Sequence, residues 1–131
     1  MLVGNFNSNV IMLNLILQII DHYMNLLKIR DHELAALEDD RRGSGFMDTG
    51  LMKHLAAGKV ISLDPIQVRK LKGYTLNVDI FNFDLLFIPT NVNNMHWTMI
   101  VVKMQSKEIH YYDSMSGDGT TYTNLIKDWL V

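Results

Sequence analysis

Two runs of β-branched and aromatic residues lie close together late in this sequence: Trp97 to Met104 (WTMIVVKM) and Glu108 to Asp113 (EIHYYD). Only the polar break Gln105-Ser106-Lys107 separates them. Runs of this composition joined by so short a link predict an antiparallel hairpin inside a sheet. Just upstream, Asp84-Leu85-Leu86-Phe87-Ile88-Pro89 is a nearly continuous apolar stretch. It predicts a further strand, covered on both faces and ended by its Pro.

Before Val78 the spacing is helical. Ile11, Leu15, Ile19, Tyr23, Leu26 and Leu27 predict a helix over about Val10 to Lys28. Met47, Leu51, Met52 and Leu55 predict a second helix, capped by Asp48 or Thr49 and stopping near Gly58. Asp64-Pro65 opens a short third helix that Gly73 closes. Between the first two helices, Asp31 to Gly45 reads as a solvated loop with a short helix at Leu34 to Leu37, and its Arg41-Arg42 pair as solvated charge. After the turn Ser116-Gly117-Asp118-Gly119, Leu125, Ile126, Trp129 and Leu130 predict a last helix, begun by a Thr120 or Thr121 cap. Helices followed by a helix-flanked sheet make an α+β fold of one domain, residues 1–131. Its expected core is Leu85, Phe87, Ile100, Val102, Ile109, Tyr111, Leu125 and Trp129.

Composition narrows the functions. At 48% hydrophobic and 20% charged residues, the chain can build a core. A net charge of −2 gives no basic footprint for nucleic acid. Val10 to Ile20 is apolar but is interrupted by Asn14 and Gln18, and no Lys or Arg precedes Lys28. That predicts a buried helix, neither a membrane span nor a secretory signal. The five His are scattered and there is no Cys, so no metal site and no cofactor is expected, and no thiol nucleophile exists in the chain.

The hairpin carries the chemistry. Facing residues of an antiparallel pair have a constant index sum, and His96 with Asp113 sum to 209. A two-residue turn at Gln105-Ser106 gives a sum of 211, which makes them diagonal neighbours on one face; a turn shifted by one residue sets them directly opposite, and either way their Cβ atoms lie about 5–8 Å apart. A carboxylate on one ring nitrogen fixes the imidazole tautomer and leaves the other nitrogen free to accept a proton. Spacing alone leaves a structural His–Asp contact as the commoner reading.

A wider pattern adds to this. Val78-Asp79-Ile80-Phe81, Asp84 to Pro89, His96-Trp97 and Ile109-His110-Tyr111-Tyr112-Asp113-Ser114-Met115 together resemble the SUMO-specific (Ulp/sentrin-protease) cysteine peptidases, of papain-like fold. The resemblance is clear over about Val68 to Leu130 and weaker over Ile19 to Leu27, where Tyr23-Met24-Asn25-Leu26-Leu27 is similar to the family's first-helix motif. It implies His96 as general base, Asp113 as its orienting partner, and Trp97 as a wall of the narrow passage that admits a modifier's Gly-Gly tail. It also implies a ubiquitin-like protein such as SUMO as partner, and a nuclear or cytoplasmic setting.

The sequence departs from the family twice. The Gln and the nucleophilic Cys, borne on a Q-x-N-G-x-D-C-G segment several dozen residues after the Asp, are not reached by Val131. The W-L-N-D that precedes the first-helix motif would fall on Asn14-Leu15-Ile16-Leu17 and is absent, which marks residues 1–17 as atypical. Two functions follow as expectations: a ubiquitin-like-protein peptidase of which this chain holds the His and Asp, or a catalytically inactive module that binds such a protein.

Overall fold

The computed structural model describes residues 4–38, 40–60 and 79–130, without the side chains of 4–10 and 58–60. The expected third helix, Asp64 to Gly73, and Val78 of the family pattern lie outside the described residues. Helix α1 spans Gly4–Ala35, strand β1 Ser44–Phe46 and helix α2 Gly50–Val60. A 3-10 turn, Ile80–Asn82, leads into β2 Leu85–Val92, β3 His96–Lys103, β4 Glu108–Tyr112 and helix α3 Thr120–Leu130. The strands form one mixed sheet in the order β1-β2-β3-β4, with β1 parallel to β2 and the other pairs antiparallel. The fold is α+β, as the sequence predicts.

Of the two registers the sequence leaves open, the hairpin takes the diagonal one. Ile100 faces Tyr111 and Lys103 faces Glu108, an index sum of 211. The connection turns through Gln105-Ser106, with Lys107 in the left-handed region at φ 58°.

β2 runs past its Pro. Phe87 sends its carbonyl to the Met47 N–H, at 2.9 Å, on the β1 side. Backbone groups two residues apart point the same way along a strand. The nitrogen of Pro89 therefore faces the β1 side too, where β1 has already ended at Phe46. The ladder to β3 loses nothing, so Pro is tolerated inside the strand.

One face of the sheet carries the core. Leu86, Ile88 and Thr90 of β2 and Thr98, Ile100 and Val102 of β3 are buried under α2 and α3, which supply Leu51, Met52, Leu55, Leu125 and Ile126. The two buried threonines are satisfied: Thr98 Oγ1 donates to the Thr90 carbonyl at 3.0 Å and Thr90 Oγ1 to the Ile88 carbonyl at 3.4 Å. Ile109, Tyr111 and Trp129 pack at the margin of this core. Leu85 and Phe87, expected within it, lie on the opposite face, half-buried, with Phe87 stacked on Phe46 at 4.9 Å. A strand that is apolar at every position does not reveal which parity faces the deeper layer.

The segment between α1 and α2 is more ordered than a solvated loop. α1 continues to Ala35, and Ser44–Phe46 is a strand. Asp31, buried near the end of α1, accepts from the Ser44 N–H at 2.6 Å and pairs with Arg41. The apparent loop charges are therefore a clamp between helix and strand. A second clamp joins α1 to the start of α2: Thr49 donates from N–H (2.7 Å) and Oγ1 (3.0 Å) to Asp21. Asp48 caps α2 by accepting from the Gly50 N–H at 2.8 Å, and the helix passes through Gly58 instead of stopping there. At α3 the cap is the carboxylate of Asp118, which accepts from the Thr120 N–H at 2.9 Å; the Thr120 side chain itself donates to Asp118. That pair of bonds holds the Asp118 carboxyl below its ordinary range.

The expectation of a buried first helix is corrected. α1 is apolar nearly all round. Leu13, Leu17, Ile20, Met24 and Leu27 turn inward, while Ile11, Met12, Leu15, Ile16, Ile19, Tyr23, Leu26 and Ile29 are exposed. Among the described residues, no helix is long and apolar enough to cross a membrane.

Candidate active site

His96 is the first residue of β3 and Asp113 follows the last residue of β4, so the hairpin itself brings them together. With an index sum of 211 between the strands, both project from the face that carries Thr98, Ile100 and Tyr111. His96 Nε2 lies 2.5 Å from Asp113 Oδ1. An ionised carboxylate only accepts, so Nε2 carries a proton, and in the neutral imidazole Nδ1 presents a lone pair. Among the described residues nothing else hydrogen-bonds this ring, which is 23% exposed while the Asp113 side chain is 6% exposed.

The carboxylate is held by its own loop. The Met115 N–H donates to Oδ1 at 2.8 Å, the Gly117 N–H to Oδ2 at 3.1 Å, and the Tyr111 hydroxyl to Oδ2 at 3.4 Å. The hydrogen bond from His96, reinforced by those from the two backbone N–H groups, holds the Asp113 carboxyl below its ordinary value of 3.8. The chain must turn tightly to do this. Ser116 sits at φ 55°, and a Cβ on Gly117 would fall 2.6 Å from Asp113 Oδ2. A Cβ on Gly119 would strike the Tyr111 ring at 2.2 Å. Sequence reasoning reads Ser116 to Gly119 only as a turn. The supporting roles of Met115, Gly117 and Tyr111 are missed, because backbone donors carry no side-chain signature.

This geometry has a pH consequence. A carboxyl with a lowered folded pKa stabilises the fold fully above its ordinary value, and the contribution is lost as pH falls through the lowered one. The part of the stability gap between the wild type and Asp113→Asn that comes from this carboxylate should therefore shrink as pH falls below about 4. Urea unfolding between about pH 5 and 3 checks it; a gap that widens over that carboxylate range would contradict the contact.

Trp97 alternates to the other face of the sheet, beside Met99. It lines an open hollow of about 580 Å³ with Ile20 of α1, Pro89, Met99, Tyr112 and Ser114, and the hollow reaches the edge of Asp113. No cluster of His, Asp and Glu able to hold a metal occurs among the described residues.

An α+β domain whose hairpin aligns an imidazole on a carboxylate, and leaves the second ring nitrogen open, has the layout of a hydrolase base and its orienter. Residues 14–131 match the family described as the Ulp1 protease family, C-terminal catalytic domain, and the chain belongs to that family. It is 37% identical over 60 residues to a Sentrin-specific protease of Caenorhabditis elegans, covering 46% of this chain and 8% of that protein. It is 46% identical over 44 residues to Sentrin-specific protease 3 of Mus musculus, covering 34% of this chain and 8% of that protein. Among solved structures it resembles a de-sumoylating protease, with a TM-score of 0.65 at 16% identity, over 86% of this chain and 43% of that one. The chain thus spans under half of the solved relative and less than a tenth of these curated relatives.

Proposed function

We propose that this chain supplies the general base and its orienting partner to a cysteine peptidase that cuts after the C-terminal Gly of a ubiquitin-like modifier, SUMO foremost. The observation that carries the reading is the 2.5 Å contact between His96 Nε2 and Asp113 Oδ1 with Nδ1 left open. In such a reaction Nδ1 takes the thiol proton, and the thiolate adds to the Gly carbonyl. The imidazolium, steadied by Asp113, then protonates the departing amine, and water releases the acyl group by the same route in reverse. Trp97 and its hollow flank the path of the Gly-Gly tail. The partners are SUMO and its conjugates, and the setting is nuclear or cytoplasmic.

The 131 residues hold no Cys, which favours a second role for the chain by itself: it binds the modifier without cutting it. The experiment is a fusion. Joining the Cys-bearing remainder of the catalytic domain of the mouse relative after Val131 should give a protein that cleaves a fluorogenic Gly-Gly substrate. A folded fusion that binds the modifier without cleaving would leave only the binding role.

A further inference from the structure

Among the described residues that line the hollow beside Trp97, Ile20 alone comes from a helix; the others belong to β2, β3, β4 and the loop that follows. The width of the hollow therefore depends on where α1 lies over the sheet. Apolar packing is non-directional, so side chains such as the buried Met24 would by themselves let the helix slide and turn. Two carboxylates remove that freedom. Asp31, near the end of α1, accepts from the Ser44 N–H at 2.6 Å and pairs with Arg41. Asp21, the residue after Ile20, accepts from the Thr49 N–H at 2.7 Å and from Thr49 Oγ1 at 3.0 Å. At 1.5 Å of rise per residue the two anchors stand about 15 Å apart along the helix. Without Asp21 the helix keeps only the far anchor, and Ile20 sits at the free end of the lever. Thr49 is in turn tied to the core, because α2 begins at the next residue and buries Leu51 and Met52.

We propose that Asp21 is a positioning residue for the modifier's tail: through its two hydrogen bonds with Thr49 it holds Ile20 as the helical wall of the hollow, and Ile20 touches the tail. This rests on the hollow being the path of that tail. Asp21 does not itself line the hollow, so it acts through Ile20. A Gly-Gly tail offers no side chain to grip, which leaves its backbone and the van der Waals contact of the walls. A gap of about 0.5–1 Å already forfeits about a quarter to a half of that attraction. The wall meets the tail alike before and during the reaction, so its displacement raises KM and spares kcat.

The chain has two Trp, and Trp129→Phe leaves Trp97 as the sole indole. In that background Asp21→Ala should shift Trp97 emission to the red and raise its quenching by acrylamide, with an unchanged circular dichroism spectrum. Asp21→Asn, whose side-chain carbonyl still accepts from the Thr49 N–H, should restore the original emission. Thr49→Val loses only the hydroxyl bond and should give a smaller shift in a less disturbed fold. Unchanged emission in both Asp21→Ala and Thr49→Val overturns the positioning. In the Cys-bearing fusion, Asp21→Ala and Ile20→Ala should each raise KM for the Gly-Gly substrate about 10-fold with kcat nearly unchanged, and Asp21→Asn should return KM to the wild-type value. A fall in kcat at unchanged KM overturns the proposal, and so does an unmoved KM in Ile20→Ala. A fusion that cleaves nothing, beside the expected emission shift, overturns the peptidase reading and with it the tail as occupant, while the placing of Ile20 by Asp21 stands.

Discussion

Replacing His96 by Ala in the Cys-bearing fusion is expected to lower kcat by about 1,000-fold, with KM for the modifier nearly unchanged. The imidazole touches the reacting atoms only through a proton, and it is reached from β3 without contributing to the buried core. Its loss therefore removes transition-state stabilisation and little ground-state binding. Asp113→Asn should also slow the reaction strongly, because an amide can donate to Nε2 and so favours the wrong imidazole tautomer. The rates are read on a fluorogenic Gly-Gly substrate, with circular dichroism to confirm folding. Equal kcat in His96→Ala and wild type would remove His96 from the chemistry.

The second large effect is on stability. Ile88→Ala should cost about 2–5 kcal/mol, since Ile88 is fully buried between the β3 residue Ile100 and the helices above. Leu85→Ala, three positions earlier on the half-buried face, should cost about 1 kcal/mol or less. For a domain whose whole stability is about 5–15 kcal/mol, the first change leaves a substantial unfolded population and the second does not. Chemical denaturation of the two variants measures the difference. Equal losses would mean that both faces of β2 are covered alike.

The hairpin and the His96–Asp113 contact are legible in the sequence because both depend on local quantities. The polar break places the turn to within one residue, and either resulting register sets His96 and Asp113 on one face. The elements misread are those whose character depends on distant partners. Ser44-Gly45-Phe46 has no strand pattern of its own, and it is a strand because β2 accepts it as a parallel neighbour. Arg41 looks like solvated charge until the fold brings Asp31 to it. The parity of β2 and the exposure of α1 share one cause: apolar residues on every side say that an element is to be covered, and leave open by what. The loop that holds Asp113 escapes notice because its donors are main-chain N–H groups at Met115 and Gly117.

The most direct test compares turnover by the 131-residue chain alone with turnover by the Cys-bearing fusion, on a SUMO precursor and a fluorogenic Gly-Gly substrate. For the chain alone the expected rate is that of its His96→Ala control. Ser114 is the hydroxyl nearest in sequence to the site, but it borders the hollow on the Trp97 side. A water deprotonated by His96 would act without donors for the oxyanion, and the loss of one such donor already costs about 100- to 1,000-fold. Cleavage by the fusion, with none by the chain alone, is the result this account predicts. Turnover by the chain alone that disappears in His96→Ala would contradict it, because a nucleophile other than a thiol would then be at work.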